Sequence, residues 1–412
     1  MKTLYIYIAA AAILCALPAA NDANAQTARG AYFMTSSHLR TFLNPALHPT
    51  NGYIGFPGAG NAFAEVRTNT LTLENFIFPY RENPSSPVKT MTFMHRDVQA
   101  DKFLSNIADH NYVSASAGSD IFSLGFPAGR SYWTIHAGIR TRFSVDLPRG
   151  LFELLKRGFE DQENDEKLYD LSGLKASAVG YMEIGLGYSR ALLGGRLILG
   201  VRPKLLLGAG DMQLEVDRLN VQGGTRKWEL SSRATMRMSG VTPKYDAGAK
   251  NLDDFDFKLN SLPGRGWGVD FGGAFRLFDF GAAGKLTLFA AVNNIGTITW
   301  SASRNSVAQT QETTVSISPE KYSIHQGDYT SSIEDVLDDV ADLMEAGIDF
   351  FDVPALSGKK RTSSLGMDAN AGMEYALLRD KISVGLLYAA QTVEGNLAGE
   401  CILSANFRPT SW

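Results

Sequence analysis

The sequence predicts an all-β protein whose antiparallel strands form a transmembrane β-barrel of about 10 to 14 strands. Three observations lead to this prediction. The first residues have the pattern of an export signal, no later stretch of about 18 residues is apolar enough for a membrane-spanning helix, and several long segments alternate apolar residues with polar or small ones. Strands that cross a bilayer alternate in this way, because one face meets lipid and the other faces the lumen.

The first 25 residues of the 412-residue chain predict a secretory signal peptide. Lys2 precedes an apolar run from Leu4 to Leu17, and Ala23-Asn24-Ala25 provides an A-x-A cleavage site. A retained anchor is the less favoured alternative, because the run is shorter than the roughly 20 residues that a membrane helix needs. We therefore expect cleavage before Gln26, and a mature barrel domain, residues 26–412, in the outer membrane of a Gram-negative bacterium.

Charge and cysteine content exclude other classes of protein. The 39 basic and 43 acidic residues give a net charge of -4, so the chain has no cationic field that would recruit nucleic acid. Cys15 lies in the signal peptide, which leaves Cys401 as the single cysteine of the mature chain. We therefore expect no nucleic-acid partner and no intramolecular disulfide.

The clearest strand covers residues 133–145. Its apolar face is formed by Trp133, Ile135, Ala137, Ile139, Phe143 and Val145. Three hairpins with short turns follow, pairing residues 182–189 with 197–208, 267–277 with 286–292, and 365–377 with 382–388. Segments of roughly 10 to 14 alternating residues exceed the usual globular strand of about 5 or 6. Long strands with short turns favour an outer-membrane barrel over the alternative, a soluble antiparallel sandwich.

The polar face of these strands carries the candidate lumen charges. They are His136, Arg140, Arg142, Glu183, Arg202, Lys204, Asp270, Arg276 and Glu374. In a barrel, side chains of both signs must pair with one another, with a segment that fills the lumen, or with water. Two interpretations stay open: a network of ion pairs that holds the structure, and a strip that selects a substrate.

Three segments between the strands have helical periodicity, namely residues 97–109, 147–161 and 332–351. The third has an acidic face and lies in a long insertion, residues 301–361, which a barrel would place outside the cell as a loop. The D-x-D-x-D-G spacing of a calcium loop is absent from it. The acidic face is therefore interpreted as solvated, with a helix that docks a partner as the alternative.

Enzyme signatures are missing from the sequence. The six histidines never come within four positions of each other, and neither a G-x-S-x-G nor a P-loop pattern is present. We expect no catalytic residues, no cofactor and no metal site. A hydrolase whose catalytic group is assembled across several strands stays the most distant alternative.

Several short motifs carry a resemblance to a known type of protein. They are Ser36-Ser37-His38-Leu39-Arg40, Phe42-Leu43-Asn44-Pro45-Ala46-Leu47-His48-Pro49, Gly52-Tyr53-Ile54, Leu73-Glu74-Asn75-Phe76 and Leu147-Pro148-Arg149-Gly150-Leu151-Phe152-Glu153. With these motifs the chain, from Gly30 onward, resembles an uncharacterised domain-of-unknown-function family of outer-membrane barrels. That family is distantly similar to the long-chain fatty-acid transporter barrels.

The resemblance implies a plug and a barrel of about fourteen strands. In barrels of the transporter type an Asn-Pro-Ala element lies in an N-terminal segment that plugs the lumen, and Asn44, Pro45 and Ala46 match it. Residues 26–109 would then hold the plug and the first strands, whereas an ordinary turn at Pro45 is the alternative. About ten strands are recognisable, and Trp412 is out of phase with the apolar Leu403 and Phe407. We therefore expect the last strands to be missing from this chain.

The expected function is transport without bond chemistry. The barrel would pass or bind a small hydrophobic ligand by passive diffusion gated by the plug, with outer-membrane lipid and that ligand as its partners. The alternative is a membrane-anchored interaction protein that uses the 301–361 insertion to dock a surface or secretion partner.

Overall fold

The computed structural model describes residues 28–56, 62–81, 88–95, 97–158, 167–223, 228–246, 251–257, 262–310, 313–317 and 355–408. These residues form an all-β protein around one large antiparallel sheet, as predicted. The predicted signal peptide (residues 1–25), the acidic helix (residues 332–351) and most of the 301–361 insertion lie outside the described residues.

The described part of the chain contains strands β1 to β21 and four short α-helices. The strands are β1 Tyr53–Gly55, β2 Ala62–Thr68, β3 Ile77–Tyr80, β4 Lys89–Thr92, β5 His110–Ala128, β6 Ser131–Pro148, β7 Lys167–Asp170, β8 Lys175–Leu192, β9 Leu197–Gly223, β10 Trp228–Ser239, β11 Val241–Asp246, β12 Asn251–Phe257, β13 Gly264–Asp279, β14 Lys285–Trp300, β15 Asn305–Gln309, β16 Thr313–Ile317, β17 Ala355–Leu356, β18 Arg361–Ser364, β19 Asp368–Leu377, β20 Ile382–Val393 and β21 Asn396–Phe407. The helices are α1 Arg40–Leu43, α2 Leu73–Phe76, α3 Ala100–Leu104 and α4 Arg149–Arg157.

Short 3-10 helices lie at Ala28–Phe33, Leu193–Gly195, Gly281–Ala283 and Ala302–Arg304. The predicted helices at residues 97–109 and 147–161 are confirmed in shorter form as α3 and α4. No helix in the described ranges has the length and apolar character needed to cross a membrane.

Eight antiparallel pairings join the long strands in the order β5, β6, β8, β9, β13, β14, β19, β20 and β21. The three predicted hairpins are confirmed as β8–β9, β13–β14 and β19–β20. Pro203 interrupts the ladder between β8 and β9, because proline has no N–H to donate. The register of the two strands is the same on both sides of the interruption. Strand β9 is 27 residues long in total, and its second half also pairs with β7 and β10.

The two faces of this sheet differ in the kind of side chain that they expose and bury. One face exposes large apolar side chains, among them Ile139, Leu205 and Phe271, each about half exposed (49%, 51% and 49%). The opposite face buries polar side chains, among them His136 and Asp270, which are 1% and 2% exposed. A soluble sandwich packs its apolar face inward and turns its polar face to water, so the arrangement here is the reverse.

The N-terminal segment, residues 28–48, covers part of the polar face. Its rings Tyr32 and Phe33 and its Leu47 form a buried apolar cluster with Phe289 of β14 and Leu387 of β20. The three rings meet edge to face, with the Tyr32 and Phe289 centroids 5.7 Å apart. The sheet and the N-terminal segment are therefore packed as one body.

The predicted closure into a barrel is not present among the described residues. The sheet ends with β1 and β2, which pair with β5, and with β21, which pairs with β20. No backbone pairing joins β2 to β21 in the described ranges. Side chains do join them, because Glu400 of β21 lies 3.7 Å from Arg67 of β2 and also contacts Arg29. The sheet therefore curves until its two edges share an ion pair.

Candidate functional site

The candidate site lies where the N-terminal segment meets the polar face of the sheet. Two backbone carbonyls of the segment accept hydrogen bonds from side chains of the sheet. The Thr41 carbonyl accepts a hydrogen bond from Arg202 of β9. The Leu43 carbonyl accepts bonds from Asn293 of β14 (2.9 Å) and Asn370 of β19 (3.1 Å). Side chains from three different strands thus converge on a short stretch of main chain.

Asn44 lies at the centre of these contacts and is fully buried. Its Nδ2 donates to the Tyr32 hydroxyl at 3.0 Å and to the carbonyls of Gly273 and Ala290 at 3.3 Å each. Its Oδ1 accepts from the Ala46 backbone N–H at 2.9 Å, which shapes the turn through Pro45. The amide therefore both forms the local turn and binds two neighbouring strands.

Glycine on the sheet allows this close approach. Gly200 of β9 lies against the Pro45 and Ala46 backbone, and Gly272 of β13 lies against the Asn44 side chain. A Cβ atom at either glycine would collide with those groups. The predicted plug residues Asn44, Pro45 and Ala46 are thus seated in a gap that two glycines leave open.

Arg40 and Tyr32 are the buried polar groups of the N-terminal segment. Burial lowers the pKa of Arg40 to about 10, an effect that the Glu374 carboxylate partly opposes. Burial also raises the pKa of Tyr32 to about 12. Both side chains therefore keep their ordinary protonation states at neutral pH, and Arg40 remains a buried cation. Glu374 pairs with Arg408 at 3.0 Å, and Arg408 also donates to the Phe33 carbonyl at 2.8 Å.

Most of the predicted lumen charges are brought together. The "buried network" consists of Asp120, His136, Arg140, Glu183, Arg202, Lys204 and Asp270. Glu183 lies at its centre, 2.9 Å from Arg140, 3.2 Å from His136 and 3.8 Å from Lys204. Each buried charge therefore has an opposite charge close by, as burial in a low-dielectric environment requires.

Two acids extend the buried network in opposite directions. Asp120 of β5 binds Arg140 at 2.6 Å, and Asp270 of β13 binds Lys204 at 2.8 Å. Asp270 also lies 3.7 Å from Arg202, which holds the Thr41 carbonyl. The network thus connects β5 to the N-terminal segment through β6, β8, β9 and β13.

The remaining predicted charges lie apart from the network. Arg142 donates to the Leu365 carbonyl at 2.7 Å and lies 3.5 Å from Asp368. Arg276 pairs with Asp279 at 3.4 Å near a turn, with more than a third of each side chain exposed. Arg276 is therefore not brought to the site, whereas Asp120, which the sequence analysis did not single out, is part of it.

Phe42 links the N-terminal segment to the buried network. Its ring lies 5.0 Å from the Arg202 guanidinium and 6.0 Å from that of Arg140, and it meets the His136 ring edge-on at 5.1 Å. Cations over an aromatic face are attracted by its quadrupole. The segment is thus held by aromatic contacts as well as by hydrogen bonds.

A cavity of about 210 Å³ separates part of the segment from the sheet. It is lined by as many acidic as basic side chains, namely Glu65, Asp120, Glu183, Asp270 and Asp368 against Arg29, Arg140, Arg142, Arg202 and Lys204. Asn293 and Asn370 also line it, and the Oδ1 atom of each has no hydrogen-bond partner among the described residues. The cavity therefore offers balanced charge, and the two asparagine oxygens without partners are themselves buried.

One comparison with known proteins gives a match. A protein-family model described as a family of unknown function (DUF5723) matches residues 45–412. The chain belongs to this family. The region matched in this DUF5723 protein contains every described strand and begins directly after Asn44. No curated protein matches the chain.

The described residues of this DUF5723 protein hold no group of three or more His, Cys, Asp or Glu side chains placed to bind a metal ion. At this site the N-terminal segment is bound to the polar face of the sheet by hydrogen bonds and aromatic contacts, which are noncovalent and reversible. The expectation that the protein is not an enzyme stays a prediction.

Proposed function

We propose that this protein is an outer-membrane β-barrel in which the N-terminal segment acts as a plug, and that a small solute diffuses through when the plug moves. The observation that carries the proposal is the reversed sheet, with its apolar face exposed and its polar face bound to residues 28–48. A lipid-facing exterior and a hydrated or plugged lumen would account for both faces.

The size of the apolar face supports insertion into a bilayer. On β6 the exposed or half-exposed apolar residues run from Trp133 to Phe143. At about 3.3 Å per residue on a strand tilted by about 40°, that run rises roughly 25 Å, which is the height of the apolar band on outer-membrane barrels.

Aromatic rings border one end of this band. The turns after β5, β8, β13 and β19 all lie at that end, as the register of the strands requires; it is called the short-turn end below. Trp133 and Tyr188 lie there with centroids 4.7 Å apart, and Phe278 lies 6.3 Å from Tyr375. Aromatic belts of this kind mark the interface between lipid and water.

The ion pair between Arg67 and Glu400 supports closure of the barrel. A bare strand edge in hydrocarbon leaves backbone N–H and C=O groups without partners, which costs several kcal/mol per group. We propose that β21 closes against β2, the strand that Glu400 already contacts.

Chemical cross-linking tests this closure. In a Cys401→Ser background, we expect the pair Arg67→Cys and Glu400→Cys to be joined by a short bifunctional maleimide in the membrane-inserted protein, as seen by a gel shift. The pair Arg67→Cys and Asp279→Cys is the control, since Asp279 lies at the short-turn end of β13. Equal cross-linking of the two pairs, or none of Arg67 to Glu400, would contradict closure between β2 and β21.

The lining of the cavity favours a polar or zwitterionic solute over the hydrophobic ligand that the sequence resemblance implies. The acidic side chains of the lining can bind an ammonium group while its basic side chains bind a carboxylate. A hydrophobic molecule would have to displace water from these groups without replacing its hydrogen bonds.

Solute flux into liposomes tests the proposed transport. The full chain and a variant lacking residues 28–48 are reconstituted, and uptake of glycine, as a small zwitterion, is compared with uptake of palmitate. We expect the deletion to raise glycine flux at least tenfold and to leave palmitate uptake unchanged. A folded, inserted deletion variant that admits no more glycine than the full chain would contradict a plug.

The alternative, an anchored interaction protein, depends on the 301–361 insertion. Its acidic helix lies outside the described residues, so no contact supports that alternative over transport.

A further inference from the structure

The exposed face of the sheet carries an apolar groove of about 840 Å³. Its floor is made of small residues, including Ala290 of β14 and Ala371 of β19, which are paired directly opposite each other. Larger side chains form its walls, among them Leu199, Phe271 and Tyr388. The groove therefore lies on the face that the proposed function turns toward lipid, and not in the lumen.

Arg190 of β8 is the cation at the rim of this groove. It is exposed, and its side chain hydrogen-bonds the hydroxyl of Tyr188, which also lines the groove. Within the described ranges no carboxylate forms an ion pair with Arg190. An apolar groove thus ends at a guanidinium whose charge no carboxylate of the described residues neutralises.

The same end of the sheet has an excess of positive charge. Arg130 lies beside Arg190, because its carbonyl accepts the Ala191 N–H at 2.9 Å. Arg379 and Lys381 are exposed in the turn after β19. The acids nearby are already paired, Asp279 with Arg276 and Asp380 with Lys285. The short-turn end therefore attracts anions.

We propose that the groove binds one acyl chain of an anionic phospholipid, whose phosphate is held by Arg190. This inference rests on the proposed insertion into a membrane. Arginine presents several N–H donors in a plane that matches phosphate oxygens, and basic residues at a membrane surface favour anionic over zwitterionic lipids. The small residues of the floor let an acyl chain lie close to the strands, and Phe271 and Tyr388 flank it.

Native mass spectrometry of the delipidated full chain tests the proposal. Phosphatidylglycerol and phosphatidylcholine with identical acyl chains are added separately. We expect wild type to bind phosphatidylglycerol more tightly, and Arg190→Gln to weaken that binding about fivefold without changing phosphatidylcholine binding. The matched control is Arg379→Gln, which removes an exposed cation at the same end but outside the groove and should leave both affinities unchanged.

A second variant tests the groove itself. Ala371→Phe fills the floor and should weaken binding of both lipids, whereas inorganic phosphate at millimolar concentration should displace neither. Equal effects of Arg190→Gln and Arg379→Gln, or displacement by inorganic phosphate, would overturn the lipid site. If boiling changes the electrophoretic mobility of the wild-type protein, but the protein shows no preference between the two lipids, the lipid site alone is overturned. A wild type that shows no such shift would overturn membrane insertion.

Discussion

Asn44→Ala is expected to open the proposed pore. The substitution removes four hydrogen bonds, to Tyr32, Gly273, Ala290 and the Ala46 N–H, and leaves buried groups without partners. At about 0.5 to 1.5 kcal/mol each, the four bonds contribute about 2 to 6 kcal/mol. Because the displaced segment of the wild type replaces these bonds with water, the substitution raises the population of the displaced state roughly 30- to 25,000-fold.

Single-channel recording in planar bilayers measures this effect. We expect wild type to be mostly closed and Asn44→Ala to show frequent openings at the same unit conductance. Asn51→Ala is the matched control, because Asn51 is exposed and the Tyr132 hydroxyl bonds only its backbone carbonyl. An Asn44→Ala protein that inserts normally and opens no more often than Asn51→Ala would show that the segment does not gate the lumen.

Glu183→Gln is expected to destabilise the protein by about 3 to 5 kcal/mol, because it removes the central anion from a set of buried cations. Glu183 is 5% exposed and lies within 3.8 Å of Arg140, His136 and Lys204. Glutamine keeps the shape of the side chain, so the measured loss reports charge and not packing. Urea unfolding of the folded protein in lipid gives the change in free energy of unfolding.

Two further variants separate buried from exposed charge. Asp279→Asn breaks an exposed pair with Arg276 and should change the free energy of unfolding by less than about 1 kcal/mol. Adding Lys204→Met to Glu183→Gln removes one unpaired cation, so the double variant should be less destabilised than the sum of the single variants. If Glu183→Gln lowers the free energy of unfolding no more than Asp279→Asn does, the buried network does not lie in a low-dielectric environment.

Alternation in the sequence was sufficient to predict the central long strands and their faces. The strand from Trp133 to Val145 and the three hairpins are present in the structure. They could be recognised in the sequence because successive side chains of a strand point to opposite faces of the sheet. The same rule placed His136, Arg140, Glu183, Arg202, Lys204 and Asp270 on the polar face, where the structure brings them together.

Other parts of the site could not be read in this way. Asp120 lies in a segment of small residues, Val113 to Gly118 and beyond, where apolar and polar positions differ too little to mark a strand, and a bulge at Asp120 shifts the register. Arg276 was assigned to the lumen by its phase, but its position near a turn gives it an exposed local partner, Asp279. The contacts of Asn44 depend on residues more than 200 positions away, which a local pattern does not identify.

The heat-modifiability gel tests the central claim most directly. The full chain is expressed in a Gram-negative host, the outer-membrane fraction is isolated, and boiled and unboiled samples are compared by electrophoresis. A closed barrel resists detergent until it is boiled, so we predict recovery in the outer membrane and faster migration of the unboiled sample. Recovery as a soluble periplasmic protein, with identical migration of both samples, would contradict the barrel and the transport proposed from it.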